Sequence, residues 1–460
     1  MNSYVCTLLL SITLPFAAGQ QGNPLNDQSP LGINLGGITY YSSELVFVDI
    51  FKQSSPWISQ AEGKGWGKGG PLDLTSDGWV KSLRPGQRAE SLICRVKGHY
   101  PAGKYICLYD GTGTINFGFD AKVQSQSEGR TVLDVNPGDG GILVSITETD
   151  PNNPVRNIKV IMPSFEKSYM NHTFRPDFLK RWQNFKVIRF MDWMSTNNSK
   201  IKNWDDRPAA DMQTQGQKGV ALEYMIQLAN TLNADPWFCM PHLATDEYIR
   251  NFAVMVKENL KPNLKVYVEY TNEAWNGIFG QAHYCAQKGK ELNLSDNSYQ
   301  TQLFYYSKRS VEIFKIWRQV FEDNSRLVRV LSSQSANPWT GMQVMTFEDA
   351  YKHADALATA PYFGHSIGDP GQQDKNQNFS VEQVLDYCRT AIEENQKTIE
   401  QNAANAKQHG IDLIAYEAGQ HLVGCQGAEN NQKLTDLLHA ANRDPRICLL
   451  YTSPSPRDRS

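Results

Sequence analysis

Cysteine is scarce in this chain and poorly spaced for metal. Cys239, Cys285, Cys388 and Cys425 stand too far apart to share an ion in any common ligand pattern. Neither sign of charge is in excess. Forty-five basic and forty-eight acidic residues are interspersed to give a formal −3, so nothing marks a nucleic-acid partner or an anionic membrane. Beyond the N-terminus no apolar run is long enough to span a bilayer. No glycine-rich phosphate loop follows any candidate strand, and no cofactor is expected. His242, Asp192 and His421 are too scattered to argue a metal-dependent hydrolase.

What is present is length and aromatic side chains. With 460 residues, ten Trp and twenty Tyr, the chain has room for more than one domain. Aromatic faces suit sugar binding, as they suit any large core. Residues 1–19 run from an apolar stretch, Val5 to Phe16, to the small residues Ala17 and Gly19. That pattern predicts a signal peptide cleaved before Gln20 and a secreted, extracellular protein, the alternative being a buried N-terminal element. Sequons at Asn171, Asn197, Asn293 and Asn378 fit that compartment. Cys94 and Cys107 flank YPAG symmetrically, which predicts a hairpin carrying either a disulfide or two packed thiols. Residues 448–460 contain CLLYTSPSPRD, which resembles a translated sequencing adapter. The natural sequence is therefore expected to depart near Ile447, and the chain as written to be poorly soluble for want of a last strand.

The pattern changes twice along the chain. LGINLGGITY, from Leu31 to Tyr40, reads as a strand and loop over 31–45, followed by a Gly/Trp/Lys-rich loop from Gln60 to Pro71. Residues 86–162 show short alternating runs broken by Gly, Pro, Asp and Asn, the signature of an antiparallel β-sandwich. Over 163–447, strands alternate with helices, which implies a parallel sheet. The reading is α/β: a (β/α)₈ TIM barrel with the sandwich inserted after the first strand and the eighth strand missing through C-terminal truncation. An open doubly wound sheet is the rival.

Two glutamates follow strands of the 163–447 region. Glu273 sits in KVYVEYTNEAWN and Glu417 in IDLIAYEAGQH. Carboxylates at two strand ends are what glycoside cleavage needs. One protonates the leaving oxygen while the other attacks the anomeric carbon, with separations of roughly 5–5.5 Å for retention and about 6.5–9.5 Å for inversion. Glu269 is expected to alternate away from the site if Glu273 faces it, although a strand turning into a loop loosens that parity.

Asn-Glu after the fourth strand and Glu after the seventh resemble the clan A glycoside hydrolases, over about Leu31–Asn34 and Lys186–Gly424. PWFCMPH and VYVEYTNEAWN are also similar to segments of poorly characterised bacterial and marine proteins labelled cellulose-binding. The resemblance implies that Glu273 is the acid/base and Glu417 the nucleophile. It implies that Asn272 bonds a substrate 2-hydroxyl, that Arg189 keeps the nucleophile ionised and that Tyr362 bonds it. It places His242 and Asn34 among the substrate-binding residues. Trp193, Trp275 and Trp339 follow strands where a sugar platform would lie, and each could equally be packing. Arg189 could be a structural ion-pair partner, and Tyr362 and His242 satisfied core residues.

The expected activity is thus a secreted retaining hydrolase of a β-linked glucan, mannan or xylan. The alternative is a non-catalytic carbohydrate-binding protein on a barrel scaffold. A polysaccharide or oligosaccharide is the expected partner, and the oligomeric state stays open.

Overall fold

In the computed structural model, residues 25–452 are described. The expected signal segment, and the tail beyond Thr452, lie outside them. Seven parallel strands form the principal sheet: β1 (Gly32–Asn34), β2 (Val187–Arg189), β3 (Asp235–Met240), β4 (Val266–Tyr270), β5 (Leu327–Ser332), β6 (Ala356–Thr359) and β7 (Asp412–Ala415). Each strand pairs with the next in sequence, from Gly32↔Val187 in the first ladder to Ala356↔Asp412 in the last. The order never reverses. That excludes the doubly wound rival, whose order turns back at a switch point.

The sheet curls until its edge strands approach at their C-terminal ends. There the Asn34 amide donates to the Tyr416 carbonyl at 3.0 Å. Alternation sends Trp237, Cys239, Val330 and Ala358 to the concave face. Ile188, Phe238, Val268 and Leu357 point outward to the helical layer. Those helices begin where the sequence offers caps: Thr245 for Asp246–Asn259, Asn297 for Ser298–Phe321, and a Ser380–Gln383 capping box for Val381–Gln408. No helix among the described residues is long and apolar enough to cross a membrane.

Between β1 and β2 lie two four-stranded antiparallel sheets. One joins Ile58–Ala61, Gln87–Ile93, Ile142–Thr149 and Gly113–Phe119; the other joins Arg156–Ile161, Gly103–Asp110, Arg130–Val135 and Ala121–Ser127. Their inner faces share a core that includes Ile93, Tyr105, Leu133 and Val144. The first sheet starts at Ile58, upstream of the expected boundary at 86, because a short strand precedes the glycine-rich loop. Nor do Cys94 and Cys107 face each other across a hairpin. Gln87–Ile93 and Gly103–Asp110 belong to opposite sheets, and both thiols are free and buried. Burial pushes the Cys94 thiol up to about 12.

The adapter-like segment enters a helix, Pro445–Thr452, with Ile447 buried in a cluster formed with Leu385 and Leu438. The stretch leading into the sandwich is anchored by Phe47. This ring is fully buried and packs on Phe174, Tyr224 and Trp193 with centroids at 5.8, 5.3 and 6.5 Å. Phe47→Ala is expected to cost about 3–5 kcal/mol. A urea titration reads this as a lower midpoint, and an unchanged midpoint would contradict it.

Candidate active site

Three strand ends and the loops behind them converge at the C-terminal mouth of the parallel sheet. Arg189, the last residue of β2, is only 2% exposed. It makes five hydrogen bonds. Nε and Nη2 reach Glu269 Oε2 at 3.1 and 2.9 Å, Nη2 reaches Asn272 Oδ1 at 2.9 Å, and Nη1 reaches Asn34 Oδ1 at 3.2 Å and Glu417 Oε1 at 2.9 Å. A buried guanidinium needs such neutralisation, since removal from water is costly unless every donor is met. The rings of Trp237 and Tyr416 add cation–π contacts at 5.5 and 5.1 Å.

Glu417 lies two residues past β7 and receives one donor on each oxygen: Arg189 on Oε1, and the Tyr362 hydroxyl on Oε2 at 2.7 Å. Tyr362 is not in β6. It starts a two-residue strand, Tyr362–Phe363, paired in parallel with Gly419–Gln420 just beyond Glu417. Burial, then the charge of Glu417, raises the Tyr362 phenol, so it stays a proton donor at neutral pH.

Glu273 stands three residues past β4, half-buried, after a cis peptide between Tyr270 and Thr271. Its own φ is +40°, a left-handed value that costs energy for a non-glycine residue and recurs at functional positions. Oε1 accepts from the Tyr416 hydroxyl at 2.9 Å and Oε2 from Asn276 Nδ2 at 2.9 Å. Burial raises its carboxyl above the usual range. The bonds from Asn276 and Tyr416 oppose that shift, and the charge of Glu417 adds to it. Tyr416 is the neighbour of Glu417, and Tyr362 feels both carboxylates. The two glutamates therefore face one mouth.

Asn272 is buried with most of its side chain committed. Oδ1 accepts from Arg189, and Nδ2 donates to Asn197 Oδ1 at 3.0 Å, leaving one amide hydrogen. Asn34 spends its amide on Arg189 and the Tyr416 carbonyl, so it positions the site rather than facing a ligand. His242 is buried after β3 with Nδ1 unpartnered and its ring edge-on to Tyr284. Burial, helped by Lys200, lowers it to about 4, so it is neutral at neutral pH. Trp275 packs against the main core, while Trp339 is 41% exposed at the rim and stacks on Tyr299 at 6.1 Å. Trp193 is a core residue, stacked on Phe178, and is no platform.

Several site residues escape a reading of the sequence. Glu269 points inward, against expectation, because within β4 it shares the face of Tyr267, which packs in the concave cluster, whereas Glu273 lies beyond the strand end and sets no parity for it. Trp237 Nε1 also donates to Glu269, at 2.9 Å. Asn197 accepts from Gln281 Nε2 at 2.6 Å as well as from Asn272. That occupies the sequon side chain, whereas Asn171, Asn293 and Asn378 are exposed. Among the described residues no group of three His, Cys, Asp or Glu is placed to hold a metal.

No protein-family model and no curated protein matches the chain. A solved structure of Bacteroides uniformis beta-glucuronidase 2, covalently bound to cyclophellitol-6-carboxylate aziridine, aligns at 9% identity with a TM-score of 0.24. The alignment covers 75% of this chain and 46% of that one, so the chain spans less than half the length of that protein. A likeness that small carries no argument here.

The Glu273 shift has a stability consequence. The unfolded carboxyl ionises at its ordinary value and the folded one at higher pH. Across that window the unfolded state has lost a proton that the folded state keeps, so stability falls as pH rises. Glu273→Gln is therefore expected to melt higher than the parent at about pH 7 and level with it near pH 3.5. Equal melting at neutral pH would contradict the shift.

Proposed function

We propose that this protein is a retaining glycoside hydrolase acting outside the cell on a β-linked polysaccharide. In this reading the parallel sheet belongs to a (β/α)₈ barrel. The observation that carries the proposal is the unlike treatment of two carboxylates at one mouth. Glu417 has a guanidinium on one oxygen and a phenol on the other, which suits a group that attacks as an anion. Glu273 is raised by burial and by that neighbouring charge, which suits a group that starts protonated.

Glu273 gives its proton to the glycosidic oxygen as Glu417 attacks the anomeric carbon. The carbon–oxygen bond breaks, the aglycone leaves as an alcohol, and the sugar stays esterified to Glu417. Glu273, now ionised, takes a proton from water as the hydroxide attacks the same carbon and frees Glu417. The remaining Asn272 amide hydrogen is free for the sugar 2-hydroxyl, and Tyr416 holds the acid in place. Trp339 offers a stacking face farther along the rim, while half-buried Trp275 and Asn34 support the site from behind.

The test is the full chain on a panel of β-glucan, β-mannan and β-xylan, with the first-formed anomer read by proton NMR. Expected is hydrolysis that releases the β-anomer first, lost in Glu417→Ala and lowered about 10²–10⁴-fold in Glu273→Gln. Release of the α-anomer first, or full activity in either variant, would contradict the assignment. Binding without cleavage would instead favour a non-catalytic carbohydrate-binding protein.

A further inference from the structure

The inserted sandwich and the loop that follows β1 carry exposed aromatic rings that the sandwich core does not use. Trp66 is 57% exposed, Phe119 55% and Tyr41 61%. Isolated exposed rings are ordinary on a protein surface. These, however, gather around two adjoining hollows that share Arg95. One, of about 350 Å³, is lined by Trp66, Leu92, Arg95, Phe119 and Gly140. The other, of about 420 Å³, is lined by Tyr40, Tyr41, Arg95, Lys97 and Asp139.

The backbone is bent to form this face. Cys94, Lys97 and Phe119 have φ of 56°, 50° and 58°, values that bulky residues adopt only when packing elsewhere enforces them. A Cβ on Gly140 would come within 2.9 Å of the Phe119 Cβ, so glycine leaves room for that ring. Arg95 and Lys97 are exposed, and neither forms an ion pair among the described residues. With Asp139 the one acidic residue lining the hollows, the groove is net positive.

The loop that follows β1 links this face to the mouth described above. The Arg95 backbone donates to the Tyr40 carbonyl at 2.8 Å, fixing the sandwich to the loop that follows β1. On that loop a Cβ at Gly37 would lie 3.9 Å from Asp192, a rim carboxylate close enough to Glu417 to feel its charge.

We infer that this groove is a second glycan-binding site, and that the polysaccharide it takes is anionic, bearing carboxylate or sulfate groups. Trp66, Phe119 and Tyr41 present flat faces to the apolar sides of sugar rings. Arg95 and Lys97 supply charge-assisted hydrogen bonds to the acidic substituents. The inference goes beyond the hydrolase reading and stands apart from it: the groove is assigned a ligand of its own, not the substrate of the mouth.

Affinity electrophoresis of the full chain carrying Glu273→Gln tests it, in gels containing polygalacturonate, a sulfated galactan, neutral β-mannan or polyglutamate. At least one acidic glycan is expected to retard the protein, with polyglutamate and β-mannan about tenfold weaker. Trp66→Ala and Arg95→Ala should each weaken that retention by about tenfold, and added salt should reduce it. Retardation by polygalacturonate alone assigns carboxylate, and by the galactan alone, sulfate. Equal retention by polyglutamate or by mannan, no retention by either acidic glycan, or unchanged retention in both variants would overturn the inference. Because the acid is already disabled, retention is scored apart from cleavage. A chain that hydrolyses nothing yet binds leaves this inference standing, and one that hydrolyses without binding removes it alone.

Discussion

The buried guanidinium of Arg189 sets the terms for everything around it. A cation held away from water must be met by acceptors, and this one draws four from three segments: Asn34 from β1, Glu269 and Asn272 from β4 and its loop, and Glu417 from beyond β7. Removing any acceptor would leave part of a charge uncompensated in a low-dielectric interior. The contacts therefore fix where the strands end and how far the sheet curls. They also divide two glutamates into different jobs. Glu269 is the inner counter-ion, enclosed by Trp237 and Cys239. Glu417 meets the same cation from the open side and keeps partial exposure.

A second set of bonds couples the glutamates of the mouth. Tyr416 lies inside the concave core, yet its hydroxyl reaches out to Glu273. Burial and the charges of Glu273 and Glu417 raise its phenol, so it remains a donor. One residue thus packs the interior of the sheet and orients the carboxyl that the proposed chemistry needs protonated. Gln281 performs a similar service from below, holding the Asn272 carbonyl and the Asn197 side chain at once. The support is shared among polar side chains on separate elements, which limits drift of the site.

How much of this was legible in the sequence depended on burial. Glu273 and Glu417 stood out because each is a charge following an apolar strand. Strand order was legible too, since helix and strand alternate cleanly after residue 163. Glu269 and Trp237 were hidden because strands buried on both faces lose the polar–apolar alternation that marks an inner face. Tyr416 read as an ordinary core aromatic. The sandwich boundary was missed because Ile58–Ala61 is a four-residue strand, parted from its partner Gln87–Ile93 by a glycine-rich loop and a small hairpin. Cys94 and Cys107 misled for a related reason: symmetry around YPAG suggested one hairpin, whereas the chain crosses there from one sheet to the other.

The central claim is that Glu417, oriented by Arg189 and Tyr362, forms the covalent bond. Its most direct test is peptide mass mapping after exposure to activated 2-fluoro-β-glycosides of glucose, mannose and xylose, which stall the esterified enzyme. The expected result is one sugar-sized mass increase on the peptide containing Glu417, absent in Glu417→Ala. A label on Glu273 or Glu269, or steady turnover of the reagent by inversion without any label, would contradict the account.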